Sequence, residues 1–391
     1  MPGKPLITED FLLENKSAKI LYRDYAKDKP IIDYHCHIQP REIAENKRWD
    51  NIAQIWLGGD HYKWRLMRAL GIDESFITGG APELEKFRTF AGAMPKMLRN
   101  PIYHWSHLEL ARYFGIDDLL LSQATADEVW ERTSERIAEA DFSAKGLMKM
   151  SGVEIACTTD DPVDSLEWHA ALQNDSTFGI KVLPTWRPDK ALNLHDAKKW
   201  NEWVDKLEKA ADLSIGDFNA FMEALQKRHN YFSSMGCRLS DYGIETVYSE
   251  CCTEGEAAAI FAKARGGRSI DAAEELKFKS FMLAAFGEMD AISDWTWQIH
   301  YNALRNNNTR MFRQLGPDTG FDSMGDWPVA EAISRLFDKL EKKNNLPRTI
   351  VYSLNPRDNE LLASMLGNFQ SGPTPGKMQL GSGWWFNDQI D

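Results

Sequence analysis

The chain has 391 residues, of which 43% are hydrophobic and 27% are charged, as is ordinary for a soluble globular protein. Its formal net charge is −12, and no run of Lys or Arg stands out, which argues against nucleic acid as a partner. No window of about 18 apolar residues predicts a membrane span, and the N-terminus lacks the apolar core of a signal peptide. We therefore expect a cytoplasmic protein that forms one large barrel or two domains, with a homo-oligomer possible.

Cysteine usage supports a reducing compartment. There are five cysteines, an odd number. Cys251 and Cys252 are adjacent and Cys36 stands alone, so the spacing does not resemble a disulfide framework.

The N-terminal residues predict a helix followed by the first strand. Thr8, Glu9 and Asp10 make a capped, acid-rich start for a helix over 8–28. The next stretch, PIIDYHCHI at 30–38, predicts a strand that ends near His37. Side chains two residues apart in a strand point the same way, so His35 and His37 would present two imidazoles to one side. A strand end that carries two histidines is a candidate metal site.

Residues 40–150 predict helices almost throughout. The clearest apolar periodicities cover 53–57, 64–70, 84–91 and 126–138. The segment is too long for a single crossover helix, so we interpret it as an α-helical insertion after the first strand. It divides the chain into 1–39, 40–150 and 151–391.

From Gly152 onward, short apolar runs alternate with helical patterns. Strands are predicted over 153–157, 179–183, 237–240, 295–299, 349–354 and 378–380. Most of them lead into polar clusters, and strand–helix alternation implies a parallel sheet. Seven such units predict a (β/α)8 TIM-type barrel with its site at the C-terminal ends of the strands.

The eighth unit is missing from this prediction. After Trp385 only six residues remain, and a barrel without its last strand leaves two unpaired edges. We therefore expect the last strand and the terminal helices to be absent.

Several residues near the predicted strand ends could carry chemistry. Asp241 and His300 could bind a metal or exchange protons. Arg187 and Arg305 carry guanidiniums that can form bidentate hydrogen bonds with a carboxylate. Such a set with aromatic walls would hold one divalent metal against an anionic polyhydroxy substrate. Singly, each has a structural alternative: a strand-end Asp can cap a helix, a strand-end Arg can form an ion pair, and His300 can be a core residue.

With these motifs in place, the chain resembles the uronate (glucuronate) isomerases of the amidohydrolase superfamily over nearly its whole length. The segments that carry the resemblance are DYHCH at 33–37, GDHYKWR at 59–65, TTDDP at 158–162, VLPTWRPDK at 182–190, His300 with ALRNNN at 303–308, and GSGWWFND at 381–388.

The resemblance implies an aldose–ketose isomerase that interconverts D-glucuronate with D-fructuronate and D-galacturonate with D-tagaturonate through a cis-enediol. It implies that His35 and His37 bind one divalent metal, with zinc expected. Tyr62 would help move a proton between the oxygens of carbons 1 and 2, and Arg187 would contact the substrate carboxylate. The remaining pocket residues would be His61, Asp241, His300, Arg305, Trp384 and Trp385.

One departure from the family pattern bears on activity. In that family strand eight ends in an Asp-Ser-Arg segment whose Asp is a metal ligand and base, and this chain ends before it. We therefore expect weak stability and poor or no activity. Two alternatives stay open: a metal-dependent hydrolase of the same superfamily, and a truncated sugar-acid binding remnant without catalysis.

Overall fold

The computed structural model describes residues 5–383. Its β-strands are β1 (Ile31–Asp33), β2 (Val153–Cys157), β3 (Lys181–Leu183), β4 (Leu239–Gly243), β5 (Thr296–Tyr301), β6 (Ala303–Leu304), β7 (Ser323–Met324), β8 (Arg348–Ser353) and β9 (Met378–Leu380).

The α-helices are α1 (Lys16–Ile20), α2 (Pro40–Ala44), α3 (Ile52–Leu57), α4 (His61–Ala69), α5 (Glu83–Ala93), α6 (Pro101–Phe114), α7 (Ala126–Ala138), α8 (Ala144–Met150), α9 (Glu167–Gln173), α10 (Asp189–Leu192), α11 (Ala197–Ala211), α12 (Phe218–Ser234), α13 (Glu254–Arg265), α14 (Ala272–Ile292), α15 (Thr309–Leu315), α16 (Ala330–Glu341) and α17 (Asn359–Gly367). A π-helix (Leu21–Ala26) follows α1, and short 3₁₀ turns cover Glu74–Phe76, Met94–Lys96 and Pro356–Asp358.

Seven of the strands form parallel pairs in chain order. Strands β1, β2 and β3 make one set, and β4, β5, β8 and β9 make another. Trp186, just after β3, joins the sets, because it forms parallel bridges with Asp160 on one side and Ser240 on the other. The parallel α/β architecture predicted from the sequence is therefore present.

This sheet is strongly curved. In a flat sheet β1 and β5 would lie about 19 Å apart, four steps of about 4.8 Å. Yet the ring of His35, which follows β1, stacks on that of His300 in β5 with centroids 4.5 Å apart. The sheet must therefore curl so that the C-terminal ends of these two strands face each other.

The apolar core falls into three clusters. The largest packs the sheet from Trp186 to Met378 against the helices that follow β3. A second lies wholly within 52–142, the helical segment between β1 and β2. A small third cluster packs β2 and β3 against α2, α8 and α9.

Four elements differ from the sequence prediction. The predicted helix over 8–28 begins only at Lys16, where the Asn15 side chain accepts from the Ala18 N–H as the N-cap; residues 8–12 form turns instead. Strand β1 ends at Asp33, not at His37. Strands β6 and β7 pair antiparallel in a hairpin that the sequence analysis did not foresee. Their two-residue length leaves too little alternation to detect.

Candidate active site

Three side chains converge where β1, β4 and β5 approach one another. A ligand atom from each of His35, Asp241 and His300 lies within 4.8 Å of the others. Asp241 Oδ1 is 2.7 Å from His300 Nδ1, and Asp241 Oδ2 is 3.7 Å from His35 Nδ1. Asp241 and His300 are buried and His35 keeps 19% of its side chain exposed, so only His35 of the three is partly open to solvent.

The cluster suits a divalent metal. His35 Nδ1 is buried and makes no hydrogen bond with the described residues. Burial lowers the pKa of His35 to about 4 despite the nearby Asp241 charge, so its imidazole is neutral near pH 7. Neutral imidazoles beside a carboxylate are a donor set that metals such as zinc accept.

His37 lies beside this cluster. Its ring meets that of His35 edge to face with centroids 5.0 Å apart, which the chain achieves by bending at His35 just after β1. Burial, together with the Arg187 charge, lowers the pKa of His37. The two histidines are therefore close together and both favour the neutral form, but the cluster that the described residues form contains His35 with Asp241 and His300.

Arg187 is the cation of the site. Its Nη2 lies 2.6 Å from Asp241 Oδ2, and its Nε lies 3.8 Å from Asp189 Oδ2. Burial alone would raise the pKa of Asp241, but Arg187 and His300 outweigh it and hold that pKa well below the usual range. Burial raises the pKa of Asp189 to about 6 even though Arg187 opposes the shift. Asp241 is therefore the firmly ionised member of the two.

A cavity of about 860 Å³ opens beside these groups, lined by His37, Asp160, Arg187, Asp189 and Asp318 among others. A cavity of this size holds a small molecule. Arg187, which contacts Asp241 of the cluster, lines this cavity, so an anionic group of a ligand would find a partner there.

His61 and Tyr62 begin helix α4 in the helical segment. The Asp60 side chain caps this helix by accepting from the N–H groups of Tyr62 and Lys63. The rings of His61 and Tyr62 stack with centroids 4.6 Å apart. Burial lowers the pKa of His61, and Asp60 and Asp318 oppose the shift. Asp318 also acts electrostatically on His37 and Arg187, so one carboxylate lies near both the first turn of α4 and the site.

The other predicted contacts lie farther out or beyond the described residues. Arg305 directly follows β6 and keeps 38% of its side chain exposed. Its Nη1 lies 3.4 Å from Asp322 Oδ2 and 3.6 Å from Asp318 Oδ1. Trp384 and Trp385 fall outside residues 5–383.

Sequence reasoning missed Asp318 and Tyr352 as site residues. The Tyr352 ring stacks on His300 with centroids 4.1 Å apart, and its hydroxyl donates to Gln298 Oε1. Tyr352 stands near the end of the apolar strand β8, so the sequence indicates a core residue. Asp318 stands in the turn sequence GPDTG at 316–320, which predicts a loop and gives no sign that the loop reaches the site.

The fold and this constellation together define a parallel α/β enzyme whose strand ends hold a candidate divalent-metal site. Comparison with known proteins makes this more specific, since the family model for glucuronate isomerase matches residues 3–391. The chain belongs to the glucuronate isomerase family.

Curated relatives agree with this assignment. The chain is 52% identical over 388 residues to a uronate isomerase of Opitutus terrae, covering 99% of this chain and 81% of that protein. It is 50% identical over 389 residues to a uronate isomerase of Bacteroides fragilis, covering 99% and 83%.

Solved structures agree as well. A uronate isomerase from Thermotoga maritima superposes with a TM-score of 0.91 at 34% identity, covering 98% of this chain and 82% of that one. A glucuronate isomerase from Caulobacter crescentus gives 0.89 at 25% identity, covering 98% and 81%. The matches confirm the predicted isomerase family and do not favour the hydrolase alternative. Within residues 5–383, no helix is long and apolar enough to cross a membrane.

Proposed function

We propose that the chain interconverts D-glucuronate with D-fructuronate, and D-galacturonate with D-tagaturonate, through a cis-enediol. The observation that carries the proposal is the convergence of His35, Asp241 and His300 beside Arg187, which itself lines a cavity, in a chain of this family. The reaction moves one proton off carbon 2 and places one on carbon 1, while a hydroxyl proton passes from oxygen 2 to oxygen 1.

One divalent metal, zinc in our proposal, would be held by His35 with Asp241 and His300 or with His37. When bound, it would supply Lewis-acid polarisation of a substrate oxygen, which makes the neighbouring C–H more acidic. The support is the neutral imidazole of His35 and the ionised carboxylate of Asp241.

The protein groups divide the remaining tasks. Arg187 would bind the uronate carboxylate, since its Nε is buried without a hydrogen-bond partner among the described residues. Tyr62 would carry the hydroxyl proton between oxygens 1 and 2, with His61 stacked against it. His300 and Asp241 would hold or move protons in the cluster, and Arg305, Trp384 and Trp385 would contact the substrate.

The architecture we propose is a (β/α)8 barrel whose helical segment 40–150 is inserted after the first strand, with 1–39 and 151–391 building the barrel. The curvature that brings His35 onto His300 supports the barrel, and the separate apolar cluster within 52–142 supports the insertion. A cytoplasmic location belongs to the same proposal, supported by five free cysteines.

The test is turnover of D-glucuronate by the purified 391-residue chain with added zinc in D₂O, followed by NMR. Because the described residues already bring His35, Asp241 and His300 together, we here expect turnover, in place of the poor activity expected from the sequence alone: ketose should accumulate and deuterium should enter at the carbon that gains the proton. If a folded and metal-loaded chain gives no ketose and no deuterium incorporation, the proposed reaction is contradicted.

A further inference from the structure

The segment 316–322 lies between helix α15 and strand β7. It packs against helix α4, about 250 positions earlier in the sequence. Arg65 Nη1 donates to the Asp322 carbonyl, and Arg68 Nη1 donates to the Thr319 carbonyl, both at 2.6 Å. The Arg68 guanidinium also lies over the Phe321 ring, 4.5 Å from its centroid. Two charge-assisted hydrogen bonds and a cation–π contact thus join the two elements.

The contact is close at the backbone as well. Gly320 has a φ of +93°, and a Cβ built there would lie 3.0 Å from the His61 carbonyl oxygen and 3.0 Å from Arg68 Nη1. A Cβ at this distance would be a tight contact and the positive φ disfavours a side chain, so glycine suits a segment that lies directly on the first turn of α4. That turn carries His61 and Tyr62.

The same segment also reaches the opening of the site. Asp318 lines the cavity beside His37 and Arg187. Its φ is +57°, an uncommon conformation for a residue other than glycine. The segment therefore contacts α4 on one side and the cavity on the other.

We infer that residues 316–322 are a positioning element: through Arg65, Arg68 and Gly320 they fix the distance of His61 and Tyr62 from the groups at the strand ends. Helix α4 belongs to the helical segment 40–150, while the metal cluster stands on the sheet. A group that moves a proton must be held within hydrogen-bond reach of its target, so a tie between these two regions sets how well Tyr62 can act. This inference rests on the proposed function.

Four variants separate this role from general stability. Gly320→Ala places a methyl group against His61, whereas Gly115→Ala adds one outside the segment 316–322, at a φ of +66° where nothing lies within 4 Å. Arg68→Met removes the contacts with Thr319 and Phe321 and also the paired bonds to Glu74. Glu74→Gln weakens those paired bonds, and the bond from Thr78, but leaves the contacts with the segment in place.

We expect Gly320→Ala and Arg68→Met to lower kcat about tenfold to a hundredfold with KM little changed, since small misplacements of a catalytic group cost this much. We expect the two control variants to keep the wild-type kcat. Hydrogen exchange gives a readout without turnover: amides of 61–69 should exchange faster in the two test variants than in the controls, with metal affinity unchanged in all four.

Equal kcat and equal exchange in test and control variants would overturn the inference, as would equal losses in Arg68→Met and Glu74→Gln. If Arg68→Met fails to fold, Gly320→Ala and Arg68→Lys decide, and the lysine variant should recover part of kcat because it can still donate to Thr319. An inactive wild-type chain would count against the proposed function, whereas the exchange comparison would still test the tie.

Discussion

Two buried histidine–aspartate pairs lie on opposite faces of strand β4. Asp241 faces His300 at 2.7 Å. The preceding residue, Ser240, points the other way, where its hydroxyl donates at 2.5 Å to Asp290, which lies 3.1 Å from His229. All of these side chains are almost fully buried.

The surroundings of the two pairs differ. The His300–Asp241 pair has Arg187 and His35 as further polar neighbours and leads to a cavity. The His229–Asp290 pair is enclosed by aromatic rings, with Trp295 stacked on His229 at 3.7 Å. Burial raises the pKa of Asp290 against the hydrogen bonds from His229 and Ser240, while the pKa of Asp241 is held low. The same residue types therefore stand beside polar groups that could carry chemistry on one face and inside an aromatic enclosure on the other.

The largest expected effect comes from Asp241→Asn. The change removes the charge that pairs with Arg187 and His300, and we expect kcat/KM for D-glucuronate to fall about 10³-fold, as for loss of a central electrostatic group. Initial rates with zinc present, normalised to folded protein by circular dichroism, measure this. Activity near the wild-type value would show that Asp241 is dispensable for the reaction.

Asp290→Ala is expected to show the reverse pattern. His229 and Ser240 lose a buried acceptor, and since each unsatisfied group costs about 1–3 kcal/mol, we expect the free energy of unfolding to fall by about 3 kcal/mol or more. Urea titration measures the loss, and kcat/KM per folded molecule should stay close to the wild type. A large drop in kcat/KM with unchanged stability would assign chemistry to the enclosed pair instead.

Metal binding provides the third comparison. Zinc at about one hundred times its Kd should raise the free energy of unfolding by about 2.7 kcal/mol in the wild type. We expect that gain to disappear in Asp241→Asn and to persist in Asp290→Ala, as read from melting temperature with and without a chelator. An undiminished gain in Asp241→Asn would place the metal elsewhere, for example on His35 and His37 alone.

The local parts of this architecture could be predicted from the sequence. Strands β2 and β9 have the predicted bounds, because short apolar runs between turn residues leave little choice of register or type. Arg187 and His300 were predicted to lie at or near strand ends, and they do, whereas Asp241 lies in the middle of β4 and not after its end. Helix α1 was placed too early because Thr8 resembles an N-cap, whereas Asn15 is the residue that caps it.

The convergence of the site could not be predicted in the same way. His35 meets His300 only because the sheet curls across four strand spacings, and curvature depends on non-local packing. The meeting of Gly320 with His61 likewise joins residues about 260 positions apart. The sequence shows the tight turn around Gly320 but not the surface that makes the glycine necessary.

The smallest effect concerns a third pair, Asp160 and His169, in the wall of the cavity. The Thr158 hydroxyl lies between them. It donates to Asp160 Oδ2 at 2.7 Å, and its oxygen is 2.8 Å from His169 Nε2. Burial raises the pKa of Asp160 from 3.8 to about 6, although hydrogen bonds from Thr158 and Thr185 oppose the shift. This pair is buried, as His229 and Asp290 are, and it also lines the cavity.

The sign of its pH dependence follows from the raised pKa. Below about pH 4 the carboxyl is protonated in both folded and unfolded states and contributes nothing. As pH rises from about 4 to 6 the unfolded chain releases the proton first, so the folded state loses stability, and above pH 6 the full cost remains. Asp160→Asn removes this titration while its amide oxygen can still accept from Thr158 and Thr185. Relative to the wild type, the variant should therefore gain about 2 kcal/mol in free energy of unfolding between pH 4 and pH 7. Urea titrations at the two pH values measure the change, and a constant difference would mean that Asp160 titrates as it does in the unfolded chain.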